Sequence, residues 1–140
     1  MDGIITTGFK VVFTKTPLKL LSYNVWIDKD ENSLTTIEYK QGEWVYPKIE
    51  NSLLFVFQSL KEACCWSGIN YFYSKEYYEL WSCECLDMIP YFPLCSDNEL
   101  KIQEYWSDED KSKYKHIPMN SFGAKAIKLV REIPIGEYPI

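Results

Sequence analysis

An apolar run that passes directly into a helix-start pattern is the feature of this chain that most restricts its fold. Leu53 to Phe57 are five consecutive apolar residues, too few for a helix and rich in aromatic and β-branched types, which predicts a strand buried on both faces. Ser59 and Glu62 have the spacing of a capping box, which starts a helix. Gly68 can end that helix in a left-handed conformation. The sequence therefore predicts a central strand followed at once by a short helix.

Four segments before this unit have the pattern of extended chain. Gly8 to Thr14 and Lys19 to Trp26 are predicted strands, and the short link between them makes them antiparallel neighbours. Leu34 to Lys40 is a third predicted strand, whose odd-numbered residues share one face. Trp44 to Pro47 is an aromatic patch that forms either a short edge strand or a surface loop.

The segment from Tyr78 to Leu86 alternates as a strand does. One of its faces is expected to lie against the core, and it carries Trp81, Cys83 and Cys85. The opposite face is more polar and is expected to be wet, and it carries Leu80, Ser82 and Glu84.

Two segments in the last third complete the predicted fold. Leu100 to Trp106 alternates weakly as a strand, whereas Ala124 to Ile133 fits both a helix and a strand. A strand is favoured for the second segment, because Pro134 stops it and β-branched residues dominate its centre. The sequence therefore predicts a single α+β domain over residues 1–140, a mainly antiparallel sheet of about six strands with one or two packed helices.

Charge is distributed unevenly along the chain. The formal net charge is -5, yet residues 111–131 carry six basic side chains and no acidic one. The acidic total argues against dedicated nucleic-acid binding, because phosphate contacts need clustered lysine and arginine. Arg131 is the only arginine, so recognition of phosphate by several guanidinium groups is excluded, and lysine must do most of the anion binding.

The five cysteines are expected to stay reduced. No secretory leader precedes them, and no apolar run approaches the length of a membrane span, so we expect a cytoplasmic protein without a membrane association. No C-x-x-C pair occurs and His116 is the only histidine, which argues against zinc. We therefore predict no metal site and no cofactor, with the cysteines acting as small buried hydrophobes.

Several short motifs recur together in an order that resembles a known group of proteins. They are Gly8-Phe9-Lys10-Val11-Val12, Gly42-x-Trp44 with Pro47, Leu54-Phe55-Val56-Phe57-x-Ser59-Leu60-x-x-Ala63, Trp81-x-Cys83-Glu84 and Lys128-Leu129-Val130-Arg131-Glu132-Ile133. As a set they resemble small uncharacterised proteins of phages and large DNA viruses. The resemblance covers most of the chain and implies a fold and a viral origin, with the host cytoplasm as location. It implies no activity.

Aromatic residues make up 16% of the chain, and this excess fits a ligand pocket or an oligomer face. Rings for stacking and lysines for phosphate together predict a non-enzymatic viral accessory protein that binds a small anionic nucleotide-like ligand, for example to sequester a host signal. The predicted ligand-binding residues are Lys113, Tyr114, Lys115, Lys128 and Arg131, with Trp44 and Tyr46 as a stacking wall.

Two alternatives remain open. A strand, a helix containing an alanine and a later strand ending in Cys83-Glu84 are similar to part of an ADP-ribosyltransferase fold, in which Glu84 would carry catalysis. The chain departs from that family because its first predicted strand has no arginine or histidine, which places NAD binding in doubt. The other alternative is a protein–protein adaptor or minor virion component that assembles as an oligomer or on a host or viral partner through its aromatic surface. No catalytic residue is assigned, and the sequence favours a protein that is not an enzyme.

Overall fold

A computed structural model describes residues 3–16, 19–22, 37–67, 78–90, 99–110 and 122–139. Its nine strands are β1 (Ile5–Thr16), β2 (Lys19–Ser22), β3 (Glu38–Tyr39), β4 (Trp44–Val45), β5 (Leu54–Val56), β6 (Tyr78–Leu86), β7 (Ile89–Pro90), β8 (Phe122–Ala124) and β9 (Ala126–Ile133). The helices are α1 (Leu60–Ser67) and α2 (Glu99–Ser107), and a 3₁₀ turn follows at Ile135–Glu137.

The strands form two antiparallel sheets. The large sheet has six strands in the order β3-β2-β1-β6-β9-β4, and the small sheet has three in the order β5-β8-β7. Every strand pair in both sheets is antiparallel. The predicted α+β class and the sheet of six strands are confirmed, whereas the small sheet was not predicted.

The centre of the large sheet is the pair β1 and β6, which is in register from Ile5 opposite Leu86 to Phe13 opposite Tyr78. These are the two longest strands, so they can form the most ladder hydrogen bonds. The prediction of a central strand at Leu53–Phe57 is wrong, because β5 lies at the edge of the small sheet. The expectation that both faces of this strand are packed is confirmed, since Leu54 and Phe55 contact different core clusters.

One bent pair of antiparallel chain segments, which we call the bent segment pair, joins the two sheets. β6 continues into β7 through Asp87, and β8 continues into β9 through Lys125, so the same pair of chain segments contributes to both sheets. At the bend Asp87 has a φ of 49°, and its carboxylate lies 3.2 Å from the Lys125 ammonium. The small sheet also meets the large one where Phe9 and Phe57 exchange backbone hydrogen bonds of 2.8 and 2.9 Å.

The main core lies between the two sheets. Leu54, Val56 and Ala124 of the small sheet pack there against side chains of the large sheet that include Cys83, Cys85, Ile127 and Leu129. The inward orientation expected for Trp81, Cys83 and Cys85 is confirmed. Of the third predicted strand, Ile37 and Tyr39 are buried and Glu38 and Lys40 exposed, as the alternation predicted.

Helix α1 covers part of the other face of the large sheet. The Ser59 hydroxyl accepts a 3.2 Å hydrogen bond from the backbone N–H of Glu62, which confirms the predicted helix start. Ala63 and Cys64 then pack with Val11 and Leu80. The expectation that Leu80 lies on a wet face is therefore wrong, because this helix buries it completely. The predicted helix end at Gly68 lies outside the described residues.

The strand predicted at Leu100–Trp106 is wrong, because this segment belongs to helix α2. It contains Lys101, Gln103 and Glu104, which favour helix, and only one β-branched residue, Ile102. The strand predicted from residue 124 to residue 133 is confirmed, with a break between β8 and β9.

Candidate functional site

A row of polar and aromatic side chains crosses the face of the large sheet opposite the main core. Lys128 in β9 lies between Trp44, its partner in β4, and Glu84, its partner in β6. Arg131 lies opposite Ser82, one step further along β6 on the same face. We call Trp44, Glu84, Lys128 and Arg131 the outer strip.

The Lys128 ammonium is held between a ring and a carboxylate. Its nitrogen lies 5.2 Å from the centroid of the Trp44 ring and 3.4 Å from Oε2 of Glu84. The first distance is within the range of a cation–π contact. The ring and the cation predicted for ligand binding are therefore brought together.

A β-bulge decides where Arg131 points. In a regular strand Lys128 and Arg131, three residues apart, would face opposite sides of the sheet. The pairing shifts between Ser82 and Cys83, so that Val130 is the extra residue, and its side chain is 44% exposed. The Gln41 amide donates a 2.9 Å hydrogen bond to the Val130 carbonyl. The bulge therefore turns Arg131 to the same face as Lys128, where the two predicted ligand-binding cations share one side of the sheet.

Arg131 is paired with a carboxylate at the end of the described chain. Its two terminal nitrogens lie 3.2 and 3.0 Å from the two carboxylate oxygens of Glu137, which belongs to the 3₁₀ turn. This two-point contact raises the pKa of Arg131 and holds the pKa of the Glu137 carboxyl below its usual value. Both groups are exposed, so the pair contributes little to stability.

The positions of the other residues considered for the site differ from one to the next. Tyr46 is 56% exposed and follows β4, two residues beyond Trp44. Lys113, Tyr114 and Lys115 lie outside the described residues. Glu84 is half-buried and faces away from the two cysteines that flank it in sequence.

A second polar group, which sequence reasoning missed, lies inside the main core. Lys10 in β1 is only 3% exposed. Its ammonium donates a hydrogen bond to the Phe55 carbonyl and lies 5.7 Å from the centroid of the Tyr39 ring. On the neighbouring strand Cys83 and Cys85 point to the same side, and their sulfurs are 3.7 Å apart. We call Lys10, Tyr39, Cys83 and Cys85 the lysine–thiol cluster.

Burial changes the protonation of this cluster. Desolvation lowers the pKa of Lys10 to about 8 and raises the pKa of the Tyr39 hydroxyl far above its usual value. The contact between the thiols raises the pKa of Cys83 and lowers the pKa of Cys85. Among the described residues, the Tyr39 hydroxyl has no hydrogen-bond partner.

The two sites differ in what the sequence revealed of them. The cysteines are recognisable by their alternation, whereas a lysine is rarely buried, so nothing in its residue type marks Lys10 as a core residue. Its position between Phe9 and Val11, in an otherwise apolar run, was the only sign of burial.

The described residues also bear on metal binding and on membrane crossing. It holds no cluster of three or more histidine, cysteine, aspartate or glutamate side chains that could bind a metal ion. Neither helix in this part of the chain has the length and apolar character that a membrane crossing requires. Comparison with protein-family models, curated proteins and solved structures found no match for this chain.

Proposed function

We propose that this chain is a non-enzymatic protein that binds a small anionic ligand with an aromatic ring, of the nucleotide class, on the outer strip. The observation that carries the proposal is the Lys128 ammonium over the Trp44 ring, with Arg131 on the same face one step along the sheet. A flat ring and two cations on one face suit a base and a phosphate that are joined in one molecule.

The geometry gives each group a role. Trp44 stacks on the base, because its ring is half-buried and fixed at the sheet edge. Lys128 and Arg131 bind the phosphate side of the ligand, since their partners Glu84 and Ser82 are two residues, or about 7 Å, apart along β6. Glu84, beside Lys128, accepts hydrogen bonds from sugar hydroxyls.

The intramolecular ion pairs of the outer strip do not oppose this proposal. Exposed ion pairs contribute about 0–1 kcal/mol each, since water screens them and two long side chains lose freedom. A phosphate can therefore take the place of Glu137 beside Arg131 at little cost. The carboxylates keep the unliganded surface neutral, which favours ligands that supply both an anion and hydroxyl groups.

The proposed biological setting follows from the motifs. The resemblance to small phage and large DNA virus proteins supports an accessory role in an infected cell, in which binding removes a host nucleotide signal. Lys113, Tyr114 and Lys115 stay predicted contributors to the same site. No catalytic step is proposed, because the Glu84 carboxylate is already paired with the Lys128 ammonium.

A ligand screen tests the proposal. Thermal-shift measurements and calorimetry with mono-, di- and cyclic nucleotides should reveal at least one class that raises Tm and binds one molecule per chain. Trp44→Leu and Arg131→Gln should each weaken that binding by about tenfold or more, since each removes a stacking or charge-assisted contact of about 1–3 kcal/mol.

Lys125→Gln is the matched control for Arg131→Gln. Lys125, like Arg131, is an exposed cation paired with a carboxylate, but it lies at the bend between the sheets. It should leave binding unchanged. A flat screen, or equal losses in all three variants, would overturn the proposal. Capture of one host or viral protein by the wild type, with no small-molecule response, would favour the adaptor alternative instead.

A further inference from the structure

The lysine–thiol cluster plays no part in the proposed ligand site, and it places unusual chemistry inside the core. A lysine ammonium and two thiols share one enclosed side of the large sheet. We propose that Cys83 and Cys85 form a two-coordinate site for a soft monovalent metal ion, Cu(I) being the biological example, with Lys10 as its buried counter-charge.

The spacing of the two sulfurs suits a bridging ion. They are 3.7 Å apart, and both cysteines lie in the main core. A linear sulfur–metal–sulfur unit needs roughly 4.5 Å between sulfurs, twice a metal–thiolate bond of about 2.3 Å. Small side-chain rotations that move the sulfurs apart by less than an ångström reach that distance.

The same spacing argues against a disulfide. Cys83 and Cys85 are two residues apart on a strand, so their Cα atoms are separated by about 6.7 Å and their Cβ atoms point in parallel. That separation is at the upper limit for a disulfide, which also needs converging Cβ atoms. An ion can bridge the two sulfurs where a direct bond would distort the strand.

The number and type of ligands select the ion. Zinc takes four ligands, and no cluster of even three conventional ligands exists in the part of the chain that the structure describes. Thiolate sulfur is a soft ligand that binds Cu(I), zinc and iron–sulfur clusters, and the last two need four ligands. Two thiolates without a third ligand therefore fit a d¹⁰ ion that accepts two-coordination.

After the number and type of ligands, charge balance is the second criterion that selects the ion. Two thiolates, one monovalent cation and the Lys10 ammonium sum to zero, which an apolar core tolerates. A divalent ion would leave one uncompensated positive charge in the same place. On binding, each cysteine exchanges its S–H bond for a sulfur–metal bond, the protons leave to solvent, and no group changes oxidation state.

The thiols are enclosed where the two sheets meet. Gly8 lies opposite Cys83, and a Cβ atom at Gly8 would be only 2.7 Å from the Cys85 sulfur, so glycine is needed at this position beside the thiols. Val56 of the small sheet covers the same point. The bridge between Phe9 and Phe57 joins this end of β5 to β1, so we expect the ion to enter when this contact opens locally, and its uptake to be slow.

The test is an anaerobic titration of the reduced full-length chain with Cu(I), in competition with the chelator bicinchoninate. One ion per chain should bind, and X-ray absorption of the loaded protein should show two sulfur neighbours. Cys83→Ala and Cys85→Ala should each weaken binding by about 100-fold or more, and Lys10→Met by about tenfold. Zn(II) should not compete.

Cys64→Ala is the matched control, because Cys64 is equally buried but belongs to the cluster under α1. It should bind Cu(I) within twofold of the wild type. Absence of binding, three or more sulfur neighbours, or a loss confined to Cys64→Ala would overturn the proposal. Since the X-ray absorption measurement uses only the wild type, the proposal stays falsifiable even if a cysteine variant fails to fold.

Discussion

Lys10 shows how far a side chain's environment can depart from what its chemistry prefers. Its ammonium is enclosed between the sheets, where desolvation lowers its pKa to about 8 from 10.5. A difference of this size corresponds to a destabilisation of about 3 kcal/mol while the amine is charged. The native state binds fewer protons than the unfolded state between these two pH values. Stability therefore rises with pH across this window, and the full penalty is present below pH 8.

Replacement of Lys10 by methionine tests this reasoning. Lys10→Met removes the buried charge but keeps a flexible chain of similar volume, so it should raise the free energy of unfolding by about 2 kcal/mol at pH 7. The gain should shrink as the pH rises from 8 and should vanish near 10.5. Urea denaturation of both proteins over this range, with reductant, measures the difference.

The substitution also acts on the neighbours of Lys10. The charge of Lys10 lowers the pKa values of Cys83 and Cys85, so both should rise in Lys10→Met, and the pH dependence reports on Lys10 together with the two thiols. Lys40→Met, at an exposed lysine, is the control and should show no such pH dependence. A difference between the wild type and Lys10→Met that stays constant with pH would contradict the assignment.

At the scale of elements, α1 is the helix whose start is fixed by one side chain. The Ser59 hydroxyl accepts the hydrogen bond of an N–H group that would otherwise lack a partner in the first turn. The helix has only eight residues, so it depends on this cap and on its packing against β1.

Removal of the cap gives the corresponding prediction. Ser59→Ala should lower the free energy of unfolding by about 1 kcal/mol, as measured by urea denaturation at pH 7. Ser59→Asp retains an acceptor and adds a favourable charge at the helix start, so it should be as stable as the wild type. Equal losses in both variants would show that packing at Ser59, and not the cap, stabilises the helix.

The elements also show which parts of the fold the sequence could predict. α1 and the core face of β6 were predictable, because their patterns are local: a cap at Ser59 and an alternation through Cys83 and Cys85. α2 was wrongly predicted as a strand because its apolar residues follow neither the helical nor the strand spacing well. Only a weak helix propensity favours the helix that the structure contains. The orientation of Arg131 could not be predicted, because a bulge depends on the partner strand and leaves no mark in the sequence of β9 itself.

At the scale of the whole molecule, the stacking of the two sheets could not be read from the sequence. It depends on pairings between distant segments, such as Phe9 with Phe57 and Leu54 with Ala124. The candidate ligand site has the same origin, since Trp44 and Lys128 meet only through the pairing of β4 with β9. Residue types suggested which side chains bind, and the sheet order decided which of them meet.

Gly8 lies where the small sheet packs closely on the large one, and this gives the last prediction. A Cβ atom there would lie 2.7 Å from the Cys85 sulfur, 3.0 Å from Cγ2 of Val56 and 3.2 Å from the Phe57 carbonyl oxygen. Gly8→Ala should therefore lower the free energy of unfolding by about 1–3 kcal/mol, measured by urea denaturation. At Gly136 a Cβ atom meets nothing within 4 Å, so Gly136→Ala should change it by less than about 0.5 kcal/mol. Similar losses in both variants would contradict this account of the packing.

The bent segment pair, which bends at Asp87 and Lys125, has a consequence for how the molecule unfolds. The same two chain segments contribute strands to both sheets that enclose the main core. Unfolding of one sheet therefore removes the support of the other. We therefore expect heating to unfold both sheets in one cooperative transition.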